Sequence, residues 1–134
     1  MSTALDALAE QLRSEDTPIA AHVVDTGVPV GSEAPDDYAL VMEAVREGYL
    51  LHYRESRVLE GYDDDLALLA GDYLYALGLD RLAALGDTGA VAVLSELIAR
   101  CAQLHAEGRA DEVEPLWVEA GRKLKQSDPG HDSR

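Results

Sequence analysis

The chain has 134 residues, one domain's worth, and its core must be aliphatic: no Phe, one Trp and six Tyr stand against abundant Leu, Ala and Val. A formal charge of −15 and a pI near 4.4 argue against free nucleic acid and anionic membrane surfaces as partners and leave basic proteins and cations. The same acidity also serves plain solubility. Cys101 is the only cysteine, which excludes an internal disulfide and most cysteine-based metal sites.

The first element is a short amphipathic helix over Thr3 to Arg13, with Leu5, Leu8, Ala9 and Leu12 on one side. "MSTALDALAEQLRSED" carries acids early and has no uninterrupted apolar run, so it does not read as a signal peptide. No segment approaches the ~20 apolar residues that span a bilayer. No membrane insertion is expected, and the expected location is cytoplasmic.

Residues 14–35 form a long connection containing three prolines and two glycines, with a brief extended piece expected at Ala20 to Val24. Residues 36–125 are expected to form a helical core. Asp36 and Asp37 open a second helix, in which Tyr38, Val41, Met42, Val45, Tyr49, Leu50 and Tyr53 recur at spacings of three and four down to about Leu59, with Gly61 as the stop. Asp63 to Asp65 open a third helix running to Leu85 and Gly86. Asp87 or Thr88 caps a fourth, with Val91, Leu94, Leu97, Ile98, Cys101 and Leu104 as its stripe and Gly108 as its end. The last runs from about Asp111 to Lys125, with Val113, Leu116, Trp117, Ala120 and Leu124 inward. Residues 126–134 read as a disordered tail. The fold class is therefore all-α, a compact bundle of about five helices with short connections between the last three.

The acids of the third helix divide into two kinds. Asp63 to Asp65 are expected to cap it, since Asp is a good N-cap and negative charge meets the positive end of the helix dipole. Asp72 lies at nearly the same azimuth as Asp65 and shares that side with Leu68, Leu69, Tyr75, Ala76 and Leu79, so a buried carboxylate is expected there. Such a group needs a partner. Arg46, His52, Arg54 and Arg57 on the second helix are its candidates. A structural ion pair and a ligand-facing acid both fit. Gly71 and Gly78, also seven apart, mark either a close approach of another backbone or room for a slender apolar ligand. Gly71, Asp72, Tyr75 and Gly78 thus form the candidate ligand or partner face.

His22, His52, His105 and His131 fall in separate segments. Only His52 and Glu55 have a same-face spacing, and two ligands do not make a zinc site. HExxH, GxxxxGK[ST], GxSxG and GxGxxG are absent from the sequence. No metal site, cofactor or catalytic residue is expected.

"LALLAGDYLYALGLDRLAALGD" followed by "LSELIARCAQLHAEG", roughly residues 66 to 108, resembles a segment of the trans-isoprenyl diphosphate synthases, the polyprenyl synthetase family. In that all-helical family a similar helix carries a Gly-Asp pair, here Gly71 and Asp72. A Gly-Asp corner follows, here Gly86 and Asp87, and then a helix ending near an acidic-Gly pair, here Glu107 and Gly108. Catalysis in the family depends on two DDxxD motifs that hold magnesium. Here Asp36 and Asp37 read "DDYAL", with Leu40 in the last position, and Asp63 and Asp64 read "DDDLA", with Ala67 there. The resemblance implies the packing of the isoprenoid synthase fold without its chemistry. The family includes heteromeric synthases in which one subunit lacks the aspartate motifs. An accessory or regulatory subunit is therefore the leading expectation, its protein partner a catalytic prenyl synthase subunit or a second copy of the chain. The alternative is a protein that binds an isoprenoid-like apolar ligand between the second and third helices.

Overall fold

A computed structural model of the chain describes residues 3–25 and 36–127. Those residues are all-α. The helices are α1 (Ala4–Ser14), α2 (Asp37–Tyr53), α3 (Asp64–Ala84), α4 (Thr88–Ala106) and α5 (Val113–Ser127), with 3₁₀ turns at Ala20–His22 and Ala110–Glu112. No strand forms among the described residues; Val23 and Leu59 make one isolated antiparallel bridge. The middle of the long connection and the tail from residue 128 lie outside the described residues. The expected tail begins two residues early, because α5 runs on through Ser127. No helix among the described residues is long and apolar enough to cross a membrane.

Local chemistry sets the helix ends. Thr3 and Asp6 form a reciprocal capping box at α1, Thr3 N donating to Asp6 Oδ2 at 3.0 Å and Asp6 N to Thr3 Oγ1 at 3.1 Å. Asp36, Asp63 and Asp87 accept from Ala39 N, Leu66 N and Ala90 N at 3.0, 2.8 and 2.9 Å, each worth about 1 kcal/mol. α3 ends in a Schellman turn. Gly86 sits at φ +78°, its N–H donates to Ala83 O, and Asp87 N donates to Leu82 O. Gly108, at φ +74°, repeats the arrangement after α4.

Two segments differ from the sequence expectation. α2 stops at Tyr53 rather than continuing to Leu59, because residues 54–60 are drawn back along α2 by a buried acid described below, and because Leu59 bridges to Val23. Ala20–His22 is a 3₁₀ turn rather than extended. The extended backbone begins at Val23, where Val24 N donates to Val58 O at 2.8 Å and Glu60 N to His22 O at 2.9 Å.

Packing divides the chain into two compact units, Met1–Gly78 and Leu79–Arg134, so the expected 36–125 core is split within α3. In the first unit Leu8, Ala9 and Leu12 of α1 meet Leu40, Ala44 and Leu51 of α2, Val58 and Leu59 of the α2–α3 connection, and Ala67, Ala70 and Leu74 of α3. Each fully buried leucine contributes roughly 1.5–3 kcal/mol. In the second unit Leu94, Leu97, Cys101 and Leu104 of α4 and Val113, Trp117, Ala120 and Leu124 of α5 are buried, and the two helices pack on each other.

Candidate functional site

α2 and α3 approach so closely that three glycines are required at the seam. A Cβ on Gly48 would lie 2.6 Å from Cδ1 of Tyr75 and 2.9 Å from the carbonyl oxygen of Gly71. One on Gly71 would lie 2.8 Å from Nε2 of His52, and one on Gly78 2.6 Å from Cγ2 of Val45. Close packing is thus what the two glycines of α3 serve. The other reading of these glycines, room for a slender apolar ligand, is not met at the two positions themselves, where Val45, Gly48 and His52 of α2 lie against them.

The seam also fixes the orientation of Asp72. Ala67, Ala70, Gly71, Leu74 and Gly78 face inward. At about 100° per residue, Asp65, Leu68, Leu69 and Asp72 fall on the opposite side. Asp72 is 71% exposed, not buried. The reason for the difference is that α3 carries leucines on every side, so apolar neighbours did not identify the core face. Of the candidate face, Gly71 and Gly78 are buried against α2, Tyr75 is half-buried, and Asp72 alone reaches solvent.

Among the four candidate partners of Asp72, the structure brings His52 to it, with Nε2 at 3.1 Å from Oδ1. A carboxylate only accepts, so Nε2 carries the proton. With Asp72 so exposed the pair contributes at most about 1 kcal/mol. The His52 ring stacks near Tyr75, centroids 5.2 Å apart, and near Tyr53 at 5.9 Å. Tyr53 in turn lies 5.3 Å from Tyr49, over which Arg46 sits at 5.6 Å. Arg54 is the exposed C-cap of α2.

Arg57 is engaged elsewhere, by an acid the sequence reading passed over. Glu47 is the buried charged residue of the described chain. Its Oε1 accepts from Ser56 Oγ at 2.6 Å and Arg57 N at 3.0 Å, and its Oε2 from Arg57 Nε at 2.5 Å. Arg57 also donates to Glu43 Oε1 at 2.7 Å. Burial works against the Arg57 charge, but the hydrogen bonds and charges of Glu47 and Glu43 outweigh it and hold the guanidinium pKa above its ordinary value. Ser56 Oγ further accepts from Val58 N and Leu59 N, both at 3.0 Å. One carboxylate thereby organises the whole turn after α2. The signal for it was present: Glu47 falls on the stripe of Leu40, Ala44 and Leu51, where an acid needs a local partner.

Two surface features remain. Leu68 and Leu69 stand 58% and 57% exposed on the outer face of α3, on the same side as Asp65 and Asp72. In the second unit a groove of about 460 Å³ opens between α4 and α5, floored in part by Leu97, Leu116 and Ala120 and edged by both acids and bases, Glu96, Arg100, Glu119 and Lys123. No group of three or more His, Cys, Asp or Glu among the described residues could hold a metal ion.

Comparison with family models, with curated proteins and with solved structures finds no match to this chain. The resemblance to polyprenyl synthetases rests on the residues of the 66–108 stretch alone.

Proposed function

We propose that the chain is a helical interaction protein without catalysis of its own, which docks a partner protein against the outer face of α3. One observation carries the reading. Leu68 and Leu69 are adjacent and more than half exposed, as is Val118 of α5, whereas Leu8, Leu12, Leu74, Leu82, Leu94 and Leu124 are fully buried. Contiguous exposed apolar side chains rimmed by polar ones mark interaction surfaces. Asp65 and Asp72 supply that rim.

The resemblance of residues 66–108 makes a catalytic polyprenyl synthase subunit the first heterologous partner to test. The test is native mass spectrometry of the tagged protein purified from its own host, beside a Leu68→Glu/Leu69→Glu variant. A stoichiometric complex with a prenyl synthase, lost in the variant, supports an accessory subunit. A complex that survives the variant unchanged removes the α3 face from the account.

A further inference from the structure

The exposed leucines of α3 sit in a field of one sign. Asp64 and Asp65 stand one turn before Leu68 and Leu69, and Asp72 one turn after them, all three exposed. Between Arg57 and Arg81 the chain carries six acids and no Lys, Arg or His. Arg57 is itself held by Glu47 and Glu43. Of the three acids at the start of α3, Asp63 caps the helix, and no hydrogen bond or ion pair takes up Asp64 or Asp65 among the described residues. Asp72 lends one oxygen to His52 and remains 71% exposed.

That field narrows what can cover the leucines. Phosphate backbones and anionic lipid are repelled by it, and so is a second copy of a chain of charge −15. A cationic partner is drawn to it. The surface of one helix is best matched by the ridges and grooves of another. Acids one turn to either side of an apolar pair then call for cations flanking an apolar stripe. The ridge is also preformed. A Cβ at Gly48, Gly71 or Gly78 would collide across the α2–α3 seam, and Tyr73 ties α3 to Glu15, so docking costs little ordering on this side.

We propose that the occupant of the α3 outer face is a basic amphipathic helix of a partner protein. Its apolar stripe covers Leu68 and Leu69, and its Lys or Arg side chains face Asp64, Asp65 and Asp72. This rests on the reading of that face as a docking surface and names the chemistry of what docks there.

Amide shift mapping on the isotope-labelled full chain tests this. The probe is a synthetic helix-forming peptide of about 16 residues, with Leu in its stripe and Lys on both flanks. A control peptide keeps the leucines and carries Glu in place of Lys. The Lys peptide is expected to move the amides of residues 64–76 most, and the Glu peptide none. Leu68→Glu/Leu69→Glu should weaken binding by about tenfold or more. Asp64→Asn/Asp65→Asn should weaken it severalfold and flatten its salt dependence. These four positions are exposed and Asp63 keeps the cap, so both variants should melt with the wild type.

Shifts spread over the whole acidic surface, or equal binding to the leucine variant, would reduce the effect to general charge attraction and overturn the site. A Lys peptide that does not bind, or binding that Asp64→Asn/Asp65→Asn leaves unchanged, overturns the basic partner. If the host complex is nonetheless lost in Leu68→Glu/Leu69→Glu, docking at α3 stands and only the chemistry assigned to its occupant falls.

Discussion

Arg57 donates through Nε to Oε2 of Glu47 at 2.5 Å, and it does so from a side chain still 41% exposed while Glu47 is wholly buried. The asymmetry tells which partner depends on the other. Arg57 can turn to water, whereas Glu47 has only its hydrogen-bond donors. In Arg57→Met the carboxylate keeps Ser56 and the Arg57 backbone and loses its counter-charge. Removing one partner of a buried pair costs about 3–5 kcal/mol, and the open side of this pair puts the expected loss at the low end, about 3 kcal/mol. Chemical denaturation measures it. A loss under about 1 kcal/mol would mean that the turn is held by other contacts.

Ser56→Ala probes the same turn from the backbone side. The hydroxyl donates to Glu47 and accepts from Val58 N and Leu59 N. Its removal leaves buried polar groups unsatisfied, at a cost of about 1–3 kcal/mol. Hydrogen exchange at Val58 and Leu59 should quicken selectively, and unchanged protection there would contradict the arrangement.

The seam glycines should respond to alanine with opposite sign to an exposed one. Ala is favoured over Gly by up to about 1 kcal/mol within a helix. At Gly89 a Cβ meets nothing nearer than Asp87 Oδ1 at 3.6 Å, so Gly89→Ala should raise stability. At Gly48 it would meet the Gly71 carbonyl at 2.9 Å, backbone that cannot swing away. Overpacking of about 1–3 kcal/mol then exceeds the helix gain, and Gly48→Ala should lower the melting temperature. A stabilised Gly48→Ala would show that α2 and α3 do not approach this closely.

Tyr73 offers a test by pH. Its hydroxyl donates to Glu15 Oε1 at 2.6 Å, tying the end of α1 to α3. That hydrogen bond, reinforced by burial and the carboxylate's charge, pushes the phenol up from 10.0 to about 12. The raised folded value favours the protonated folded state. The contribution is complete below pH 10.0, declines as the pH rises toward about 12 and is gone above it. Ultraviolet titration of tyrosinate should show a late-titrating component near pH 12 that is lost in Tyr73→Phe. A Tyr73→Phe titration identical to wild type would contradict the contact.

Much of the fold was legible because helix ends are local. Asp63, Asp87, Gly86 and Gly108 declare themselves through capping and left-handed backbone, which neighbouring residues alone determine. The candidate site was harder because it depends on which side of α3 meets α2. Leucines surround that helix, so periodicity offered several faces. Gly71 and Gly78 held the answer, since glycines in line inside a helix mark a close approach, but Asp72 was assigned to their side rather than opposite them. Glu47 was missed because its partners, Ser56 and Arg57, belong to a turn that the spacing of α2 had absorbed into the helix. A long-range pairing of this kind leaves no period to read.

The most direct test of the central claim is native mass spectrometry of the wild-type chain and of Leu68→Glu/Leu69→Glu, both taken from the host under the same conditions. The expected result is a specific protein complex for the wild type, whether with a second copy or another protein, and a bare 14.4 kDa chain for the variant, with equal melting curves for the two purified chains. A bare chain from both would contradict docking at the α3 face, and an identical complex from both would place the interaction on another surface.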